Sequence, residues 1–510
     1  MTQIPQAPAR YDAGTGIEDI YTLSPLQQGM LFHILSAPKN RFYLDQTVCT
    51  LRGKLDPQAF EEAWGRVQNR HPALRTGFLW EGLSKPVQVV YREVPVALEI
   101  LDWRPLAPRL KDAQLQAFLR DDRRRDFDLT HPPLMRLHLI QMDEQIWRVV
   151  WTVSHLISDA WCATTVLSEV VQIYESLRRK EPAMLPKARP YRDFIAWLKR
   201  RDLASSEHYW RQRLAGYRKP VHLVEEEDPR WSSRDAGHRQ ESLRLSTEKT
   251  RDLRQLAREH QLTLNTLVQG AWALVLAHQT ERDDVVYGTT MAGRPADLEG
   301  VEGIVGPFIN TLPQRVKMDA SRPLVQWLQE LQGDQLEMRL HEQAPLRRIQ
   351  SWSELQDGER LFSCILVFLS FADLIDRNTG SLELSELRYI GRPHYGLTVN
   401  VQPGKELILE MTYDMRSYPW VKVCEYLDQL SRVLTSFLRG LSPTVGEVLE
   451  DLATDQDRRR ENQRRRRRDS NTDKLRITRP VPVRMVKSPS SLSEAQLLQG
   501  EGGIPPLGKG

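Results

Sequence analysis

One short stretch of the chain carries residue types that can move a proton. The run VVWTVSHLISDAW, residues 149–161, is rich in β-formers up to Val153 and breaks at Ser154 and His155, with Asp159 four residues later. The imidazole of histidine has an ordinary pKa of about 6.5, so it can accept and return a proton near neutrality. A side chain at the end of a strand can project into a cleft while the sheet holds it in place. His155 is therefore a candidate general base.

The surrounding sequence places His155 at a junction between a strand and a helix. The runs PPLMRLHLIQM and WRVVWTV alternate in polarity and are separated by the polar residues DEQ, which predicts an antiparallel hairpin. After Asp159, the run CATTVLSEVVQIYESLRR has the 3.6-residue period of an amphipathic helix. The apolar positions that share one face of this helix are Val166, Val170, Ile173 and Leu177.

The chain as a whole predicts two lobes that mix helices and strands. At 510 residues it exceeds the roughly 250–300 residues at which a single hydrophobic core stops growing. The proline-dense run PAMLPKARPYRDF indicates a hinge, with helical and strand-like runs on both sides. The predicted fold class is α+β, with helices packed on mixed sheets in each lobe.

Composition argues against membrane and secreted classes of protein. Hydrophobic residues make up 40% of the chain and charged residues 27%, as in an ordinary globular protein. No apolar run approaches the about 20 residues that cross a bilayer, and the N-terminus lacks the basic and apolar segments of a secretory signal. We therefore expect a cytoplasmic protein with no membrane partner.

Cysteine and ligand patterns indicate neither a disulfide frame nor a metal site. The four cysteines form no CxxC pair and no Cys/His cluster, so reduced thiols are expected. We interpret Cys162 as a small buried residue rather than a nucleophile, because nothing in the local sequence lowers the pKa of its thiol. His155 and Asp159 lack an evident third ligand, so no metal is predicted.

A block of basic residues accounts for much of the positive charge. Residues 458–468 read RRRENQRRRRR, and the tail to Gly510 is rich in Ser, Pro, Gly and Arg. Such composition predicts a linker or disordered segment. No aromatic residues interleave with the arginines to stack on bases, so no nucleic-acid partner is predicted.

Six motifs follow one another along roughly residues 17–455. The longest and most specific is YGTTMAGRPADLEGVEGIVGPFINTLPQRV. The others are GIEDIYTLSPLQQGMLFH, NRHPALRTGF, RDFDLTHPPLMRLHLI, YRDFIAWLKRRDLASSEHYWRQRLAG and LILEMTYDMRSY. In type and order these motifs resemble those of the condensation domains of non-ribosomal peptide synthetases, which build siderophores and other peptide natural products.

The resemblance implies a fold and a division of the chain. It implies two chloramphenicol-acetyltransferase-like α/β sandwich lobes in a V shape with a central tunnel. The predicted segments are an N-terminal extension at 1–16, an N-terminal lobe at 17–182, a C-terminal lobe at 183–455 and a basic, disordered linker at 456–510.

The resemblance also implies an activity and partners. A donor acyl group and an acceptor amino acid arrive on the phosphopantetheine arms of two carrier proteins, and the acceptor amine attacks the donor thioester. Neighbouring synthetase domains are further partners, and the condensation domain itself binds no cofactor. The subtype most similar to this chain joins two L-configured residues.

The stretch around His155 resembles the family's HHxxxDG motif with changed flanks. His155 matches the second histidine, which the family uses in catalysis, and Asp159 matches an aspartate that is structural through an arginine. Ser154 replaces the first histidine and Ala160 replaces the glycine. Trp161, which follows, is interpreted as a core residue.

Three further residues are candidates around the tunnel. Arg75 and Arg294 are expected either to pair with Asp159, to line the tunnel, or to lie solvated on the surface. Asn310, in FINTLP, is expected to fix a loop near the tunnel. Other departures from the family pattern are Pro307, Gly396 and the run Val367-Phe368-Leu369-Ser370 in place of VFEN.

These departures keep a second function open. A condensation-like interface domain could recruit a tailoring enzyme, such as a 2-oxoglutarate-dependent β-hydroxylase, to a carrier-bound amino acid without forming amides. The tail run VKSPSSLSEAQLLQGEGGIPPL weakly resembles linkers that precede such oxygenases. A third function, acyl transfer from soluble acyl-CoA, is compatible with the fold alone.

Overall fold

The computed structural model describes residues 16–220, 223, 238–356, 358–369, 380–454 and 458. The described residues up to Ala453 belong to one compact unit. The predicted N-terminal extension, apart from Gly16, and the predicted basic linker, apart from Arg458, lie outside the described residues. The proposed lobe boundary near residue 183 stays a prediction.

Strands and helices are interspersed along the described chain. The strands are β1 Ile17–Thr22, β2 Leu44–Arg52, β3 Thr76–Leu79, β4 Val87–Tyr91, β5 Leu98–Asp102, β6 Met135–Asp143, β7 Ile146–Ser154, β8 His238–Leu245, β9 Asp284–Met291, β10 Asn310–Lys317, β11 Cys364–Phe368, β12 Glu383–Ile390, β13 Leu397–Pro403 and β14 Leu407–Asp414. The helices are α1 Pro25–Ser36, α2 Pro57–Arg70, α3 Pro108–Asp122, α4 Ala160–Arg179, α5 Tyr191–Lys199, α6 Ala204–Leu214, α7 Thr247–Glu259, α8 Leu264–Thr280, α9 Leu324–Arg339, α10 Leu346–Trp352 and α11 Trp420–Phe437.

A five-stranded sheet in the order β12-β2-β7-β6-β5 supports the candidate histidine. The predicted hairpin is confirmed, because β6 and β7 pair antiparallel with Met135 opposite Val153. Helices α2 and α4 cover one face of this sheet, where Trp64 meets Trp151 edge to face with ring centroids 5.4 Å apart.

Helix α4 confirms the predicted amphipathic pattern. Val166, Val170 and Ile173 are buried against the sheet, and Leu177 packs against the same core while partly buried. The side chain of Asp159 caps the first turn by accepting a hydrogen bond from the backbone N–H of Cys162. A cap of this kind stabilises a helix by about 1 kcal/mol and fixes where the helix begins.

The second large sheet has six strands in the order β10-β9-β11-β13-β14-β8. It is mixed, since β11 runs parallel to β9 and β13 while the other neighbours are antiparallel. Helices α8 and α11 bury their apolar faces against it in a separate core. Helices on mixed sheets, repeated twice, confirm the predicted α+β class.

Strand β12 comes from the second half of the chain but completes the sheet of the first half. It pairs antiparallel with β2, with Arg388 opposite Val48, Tyr389 opposite Thr47 and Ile390 opposite Gln46. The sequence did not indicate this crossover, because a strand pattern does not specify the partner strand. The crossover places Tyr389 beside β2, which in turn lies beside β7, the strand that ends before His155.

Two observations bear on the class of protein. In the part of the chain that the structure describes, no helix is both long and apolar enough to cross a membrane. Cys49, Cys162 and Cys364 are buried free thiols, and burial raises the pKa of each to about 12. A thiol with so high a pKa is a poor nucleophile near neutrality.

The tryptophan pair in the first core makes a stability prediction. We expect Trp64→Ala to lower the free energy of unfolding by about 3–5 kcal/mol, because it leaves a cavity in a fully buried core. Urea denaturation followed by tryptophan fluorescence or circular dichroism measures the change. Trp420→Ala, at a position where the side chain is 53% exposed, is the matched control and should change that free energy by less than about 0.5 kcal/mol. Equal effects of the two substitutions would contradict the assigned core.

Candidate active site

The end of β7 fixes the backbone of His155 on both sides. The N–H of Ser154 donates to the carbonyl of Leu134 at 2.9 Å, and the N–H of His155 donates to the carbonyl of Tyr43 at 2.8 Å. A turn follows, in which the N–H of Ile157 donates to the carbonyl of Ser154. His155 therefore leaves a rigid sheet at a defined point.

The ring of His155 has one nitrogen bonded to a carboxylate and one that is free of protein hydrogen bonds among the described residues. Nδ1 is hydrogen-bonded to the carboxylate of Asp45. Tyr43 stacks beside the ring, with centroids 6.2 Å apart and planes 16° from parallel. Among the described residues Nε2 has no hydrogen-bond partner. The atom is not fully enclosed by protein, and the side chain is 15% exposed. Nε2 is thus the atom that a substrate can reach.

Opposing effects set the proton affinity of His155. Burial lowers the pKa of the imidazole, because it disfavours the charged form. The charge of Asp45, the hydrogen bond to Asp45 and the charge of Asp159 all raise it. The carboxylates prevail, and the pKa of His155 lies above its ordinary value.

Asp45 is a functional candidate that the sequence analysis missed. It lies on β2 opposite Val153, is 3% exposed, and also accepts a hydrogen bond from the hydroxyl of Tyr389. Burial and this carboxylate raise the pKa of Tyr389 well above its ordinary value. An acid inside the apolar strand run FYLDQTVCTL was the one signal for Asp45. For Tyr389 no signal existed, since the crossover strand brings it there.

Two further histidines, His33 and His394, lie near His155, and Tyr43 lies between His155 and His394. The hydroxyl of Tyr43 is hydrogen-bonded to Nδ1 of His394, and His394 stacks on His33 with ring centroids 3.9 Å apart. Burial, His33 and Arg360 lower the pKa of His394 to about 3. Burial and Arg360 also lower the pKa of His33. Both imidazoles are therefore neutral near neutral pH, and that of His394 serves as a hydrogen-bonding group.

Tyr43 itself holds a strained backbone conformation. Its φ is 63°, in the left-handed region that residues with a side chain rarely adopt. Such a conformation costs on the order of 1–3 kcal/mol and persists where surrounding contacts impose it. Here the N–H of Tyr43 donates to the carbonyl of Arg392 at 2.8 Å, while its carbonyl accepts from His155.

Asp159 ties the loop after His155 to the second half of the chain. Its Oδ1 accepts from the N–H of Cys162 at 3.0 Å, and its Oδ2 accepts from the N–H of Phe308 at 3.0 Å. Arg294 lies 3.5 Å from Oδ1, and both side chains are almost fully buried. Arg294 also donates to the carbonyls of Val301 and Ile304. With its oxygens occupied in this way, Asp159 has no direct path to a substrate.

Arg75 and Asn310 lie in structural networks of their own. Arg75 donates to Glu18 at 2.7 Å and to the carbonyl of Tyr91, beside the sheet formed by β1, β4 and β3, and it forms no ion pair with Asp159. Of the two arginine candidates, only Arg294 pairs with Asp159. Asn310 donates to the carbonyls of Glu342 and Ala344 at 2.8 and 3.0 Å, which fixes the loop after α9.

The flanks of the histidine motif serve the local fold. Ser154 is 3% exposed, and its hydroxyl accepts a long hydrogen bond of 3.4 Å from the N–H of Leu156. Ala160 is the first residue of α4 and is 3% exposed. In this described part of the chain neither side chain is hydrogen-bonded to the imidazole of His155, whose bonded partner is Asp45.

Trp161 is not a core residue, so that prediction is wrong. The side chain is 42% exposed, its indole N–H donates to the carbonyl of Glu302 at 3.1 Å, and the guanidinium of Arg294 lies 5.3 Å from the ring centre. Trp161 lies on the first turn of α4 and covers the loop that holds Arg294. Amphipathic side chains of this kind bury one face and keep another in water.

The other residues that differ from the expected family pattern also make defined packing or hydrogen-bond contacts. The carbonyl of Pro307 accepts a hydrogen bond from the hydroxyl of Tyr191 at 2.7 Å. A Cβ on Gly396 would lie 3.0 Å from the ring of Tyr418, so the glycine allows close packing. Leu369 is 6% exposed, and Ser370 lies outside the described residues.

The described residues contain no group of three or more histidine, cysteine, aspartate or glutamate side chains that could hold a metal ion. What the described site offers is one anchored imidazole with an accessible Nε2. That arrangement suits proton transfer.

Comparison with known proteins agrees with the resemblance of the motifs. The family model described as the condensation domain matches residues 17–459. A linear gramicidin synthase protein of Brevibacillus parabrevis is 42% identical over 425 residues, which is 83% of this chain and 8% of that protein. A surfactin synthase protein of Bacillus subtilis is 30% identical over 447 residues, which is 87% of this chain and 34% of that protein. The chain thus corresponds to a small part of these relatives.

Solved structures share the fold. The starter condensation domain of rhizomide synthetase superposes with a TM-score of 0.68 at 18% identity, over 84% of this chain and 98% of that one. The first condensation domain of the calcium-dependent antibiotic synthetase gives 0.73 at 16% identity, over 84% and 98%. This likeness confirms the predicted chloramphenicol-acetyltransferase-like fold, while the V shape and the central tunnel stay predictions. Since the family model covers residues 17–459, the chain belongs to the condensation-domain family.

Proposed function

We propose that this chain forms an amide bond between a donor acyl thioester and an acceptor amine, each carried on the phosphopantetheine arm of a carrier protein. Membership of the condensation-domain family supports the reaction class. The observation that carries the proposal is the geometry of His155, whose Nδ1 is anchored by Asp45 while Nε2 stays accessible.

The reaction needs a proton acceptor at this place. An α-amine has an ordinary pKa of about 7.7–8.0, and it must be neutral to attack. Its lone pair attacks the thioester carbon, a C–N bond forms, and the C–S bond breaks when the tetrahedral species collapses. Nε2 of His155 takes the amine proton and passes it to the leaving sulfur, which departs as the thiol of the donor arm. A base in this position contributes about 10²- to 10⁴-fold in rate.

The remaining site residues support His155 without touching the substrate. Asp159 and Arg294 hold the loop after the strand, and the charge of Asp159 adds to the proton affinity of His155. Ser154 and Ala160 pack the junction. Trp161 covers Arg294, and Asn310 and Arg75 stabilise neighbouring segments. The proposed partners are the two carrier proteins and adjoining synthetase domains, and no cofactor takes part in this reaction.

The alternative is an interface domain that binds carriers and recruits a hydroxylase without forming amides. The tail run that weakly resembles an oxygenase linker lies outside the described residues. The open Nε2 and its buried carboxylate partner favour chemistry at the site, since an inert histidine needs neither. An assay of amide formation separates the two functions.

His155→Ala tests the proposal. One carrier protein is loaded with an aminoacyl donor and another with an amino acid acceptor, and dipeptidyl carrier is followed by intact mass. We expect wild type to form dipeptide and His155→Ala to slow the reaction by about 10²-fold or more, because the base is lost. His131→Ala, which removes an exposed histidine, is the matched control and should react at the wild-type rate.

Two outcomes would contradict the proposed function. Dipeptide formation at an undiminished rate by His155→Ala would remove His155 from the chemistry. Absence of dipeptide with every substrate pair tried, while the carriers still bind, would favour the interface domain.

Asp159→Ala tests the division between support and chemistry. It leaves Arg294 as an unpaired buried charge and removes a helix cap, so we expect the free energy of unfolding to fall by about 3–5 kcal/mol. Chemical denaturation measures this loss. Glu62→Ala, which breaks an exposed pair with Arg66, is the control and should cost less than about 1 kcal/mol. A variant at Asp159 that is fully stable yet inactive would show that Asp159 acts in the reaction.

A further inference from the structure

Three chain segments meet at the carboxylate of Asp45. Asp45 lies on β2, His155 follows the last residue of β7, and Tyr389 lies on the crossover strand β12. The imidazole Nδ1 and the tyrosine hydroxyl both bond to this one carboxylate. A Cβ on Gly391 would lie 3.1 Å from Asp45 Oδ1 and 3.3 Å from the Tyr389 hydroxyl, so the glycine leaves room for the contact.

The burial of Asp45 favours an indirect role in the reaction. Its side chain is only 5% exposed, whereas that of His155 is 15% exposed in the same structure. The carboxylate is bonded to Nδ1 of the imidazole, which is the more exposed of the two groups, so its effect on a substrate passes through the imidazole. A carboxylate bonded to one ring nitrogen of a histidine fixes the orientation of the ring and determines which nitrogen carries the proton.

The chemistry of the pair decides which ring nitrogen carries the proton. An ionised carboxylate only accepts hydrogen bonds, so the contact requires a proton on Nδ1. In the neutral imidazole the lone pair then lies on Nε2, the accessible atom. The hydroxyl of Tyr389 occupies part of the remaining acceptor capacity of Asp45 and holds the carboxylate in place.

We infer that Asp45, held by Tyr389, is a positioning residue that fixes the Nδ1–H tautomer of His155 and so presents the Nε2 lone pair to the acceptor amine. The inference deepens the proposed function and rests on it for the role of Nε2. It assigns a function to an acidic position of β2 and to a tyrosine of the crossover strand.

The groups that face His155 determine the expected pH dependence. They are Asp45 from β2, Asp159 from the start of α4 and the ring of Tyr43, with Tyr389 behind Asp45. The two carboxylates raise the pKa of His155, so the neutral base accumulates as the pH rises through a value above about 6.5. Without the charge of Asp45, burial continues to lower the pKa, and the rise in rate should move to lower pH.

Asp45→Asn tests the inference through the reaction. An amide offers both a donor and an acceptor, so it no longer dictates the tautomer. We expect the maximal rate of dipeptide formation to fall by roughly 10²-fold or more, and the midpoint of its pH profile to shift to lower pH. Asp128→Asn alters an exposed aspartate paired with His131 at 3.0 Å and is the matched control, with no change expected. Wild-type rate and pH profile in Asp45→Asn would overturn the inference.

Nitrogen NMR of ¹⁵N-histidine-labelled protein tests the tautomer independently of activity. The ring signals of His155 are assigned by their loss in His155→Gln and followed with pH. We expect wild type to show the Nδ1–H form, Asp45→Asn to lose it, and Tyr389→Phe to retain it with a smaller change in rate, since the carboxylate remains. An Nε2–H form in the wild type would overturn the inference even if Asp45→Asn failed to fold.

The two measurements separate this inference from the proposed function. An Nδ1–H tautomer that depends on Asp45, in a protein that makes no dipeptide, supports the positioning role and overturns amide formation. Dipeptide formation that depends on His155 but not on Asp45, with an unchanged tautomer, overturns the positioning role and supports amide formation.

Discussion

The register of strand β2 is the constraint on which the site depends. Because Leu44 lies opposite Ser154 and Asp45 opposite Val153, the start of β2 meets the end of β7. This register brings both Tyr43 and Asp45 to His155. A slip of one residue would turn every side chain of β2 to the other face of the sheet. The apolar side chains of Cys49 and Leu51, buried in the first core, therefore also specify where Asp45 points.

Two carboxylates act on His155 in different ways. Asp45 bonds directly to the ring, while Asp159 is occupied by Arg294 and two backbone N–H groups and acts only through its charge. Removing either partner of the Asp159–Arg294 pair would leave a buried charge uncompensated, which is why such pairs are sensitive to substitution. The separation allows the loop to be held rigidly without using the hydrogen-bonding capacity of the imidazole.

Local patterns predicted much of the fold and part of the site. Side-chain burial within single elements produces the alternation in β6 and β7 and the period of α4. The hairpin, the helix and the position of His155 between them could therefore be predicted from the sequence. Trp161 was misplaced because its indole covers a loop that packs from the other half of the chain. Tyr389 and the pairing of Arg294 depend on contacts distant in sequence, and no single-segment pattern encodes such contacts.

The crossover strand has a consequence for how the chain is made. Strand β2 cannot complete its hydrogen bonds on one edge until β12 has been synthesised, since Gln46 pairs with Ile390. Until then β2 has an unpaired edge, and such edges promote association between chains. Pairings this distant in sequence slow folding, because a long loop must close before they form. The two halves are thus expected to reach their final state together, late in translation, and a cut near the predicted lobe boundary would leave the first half with an incomplete sheet.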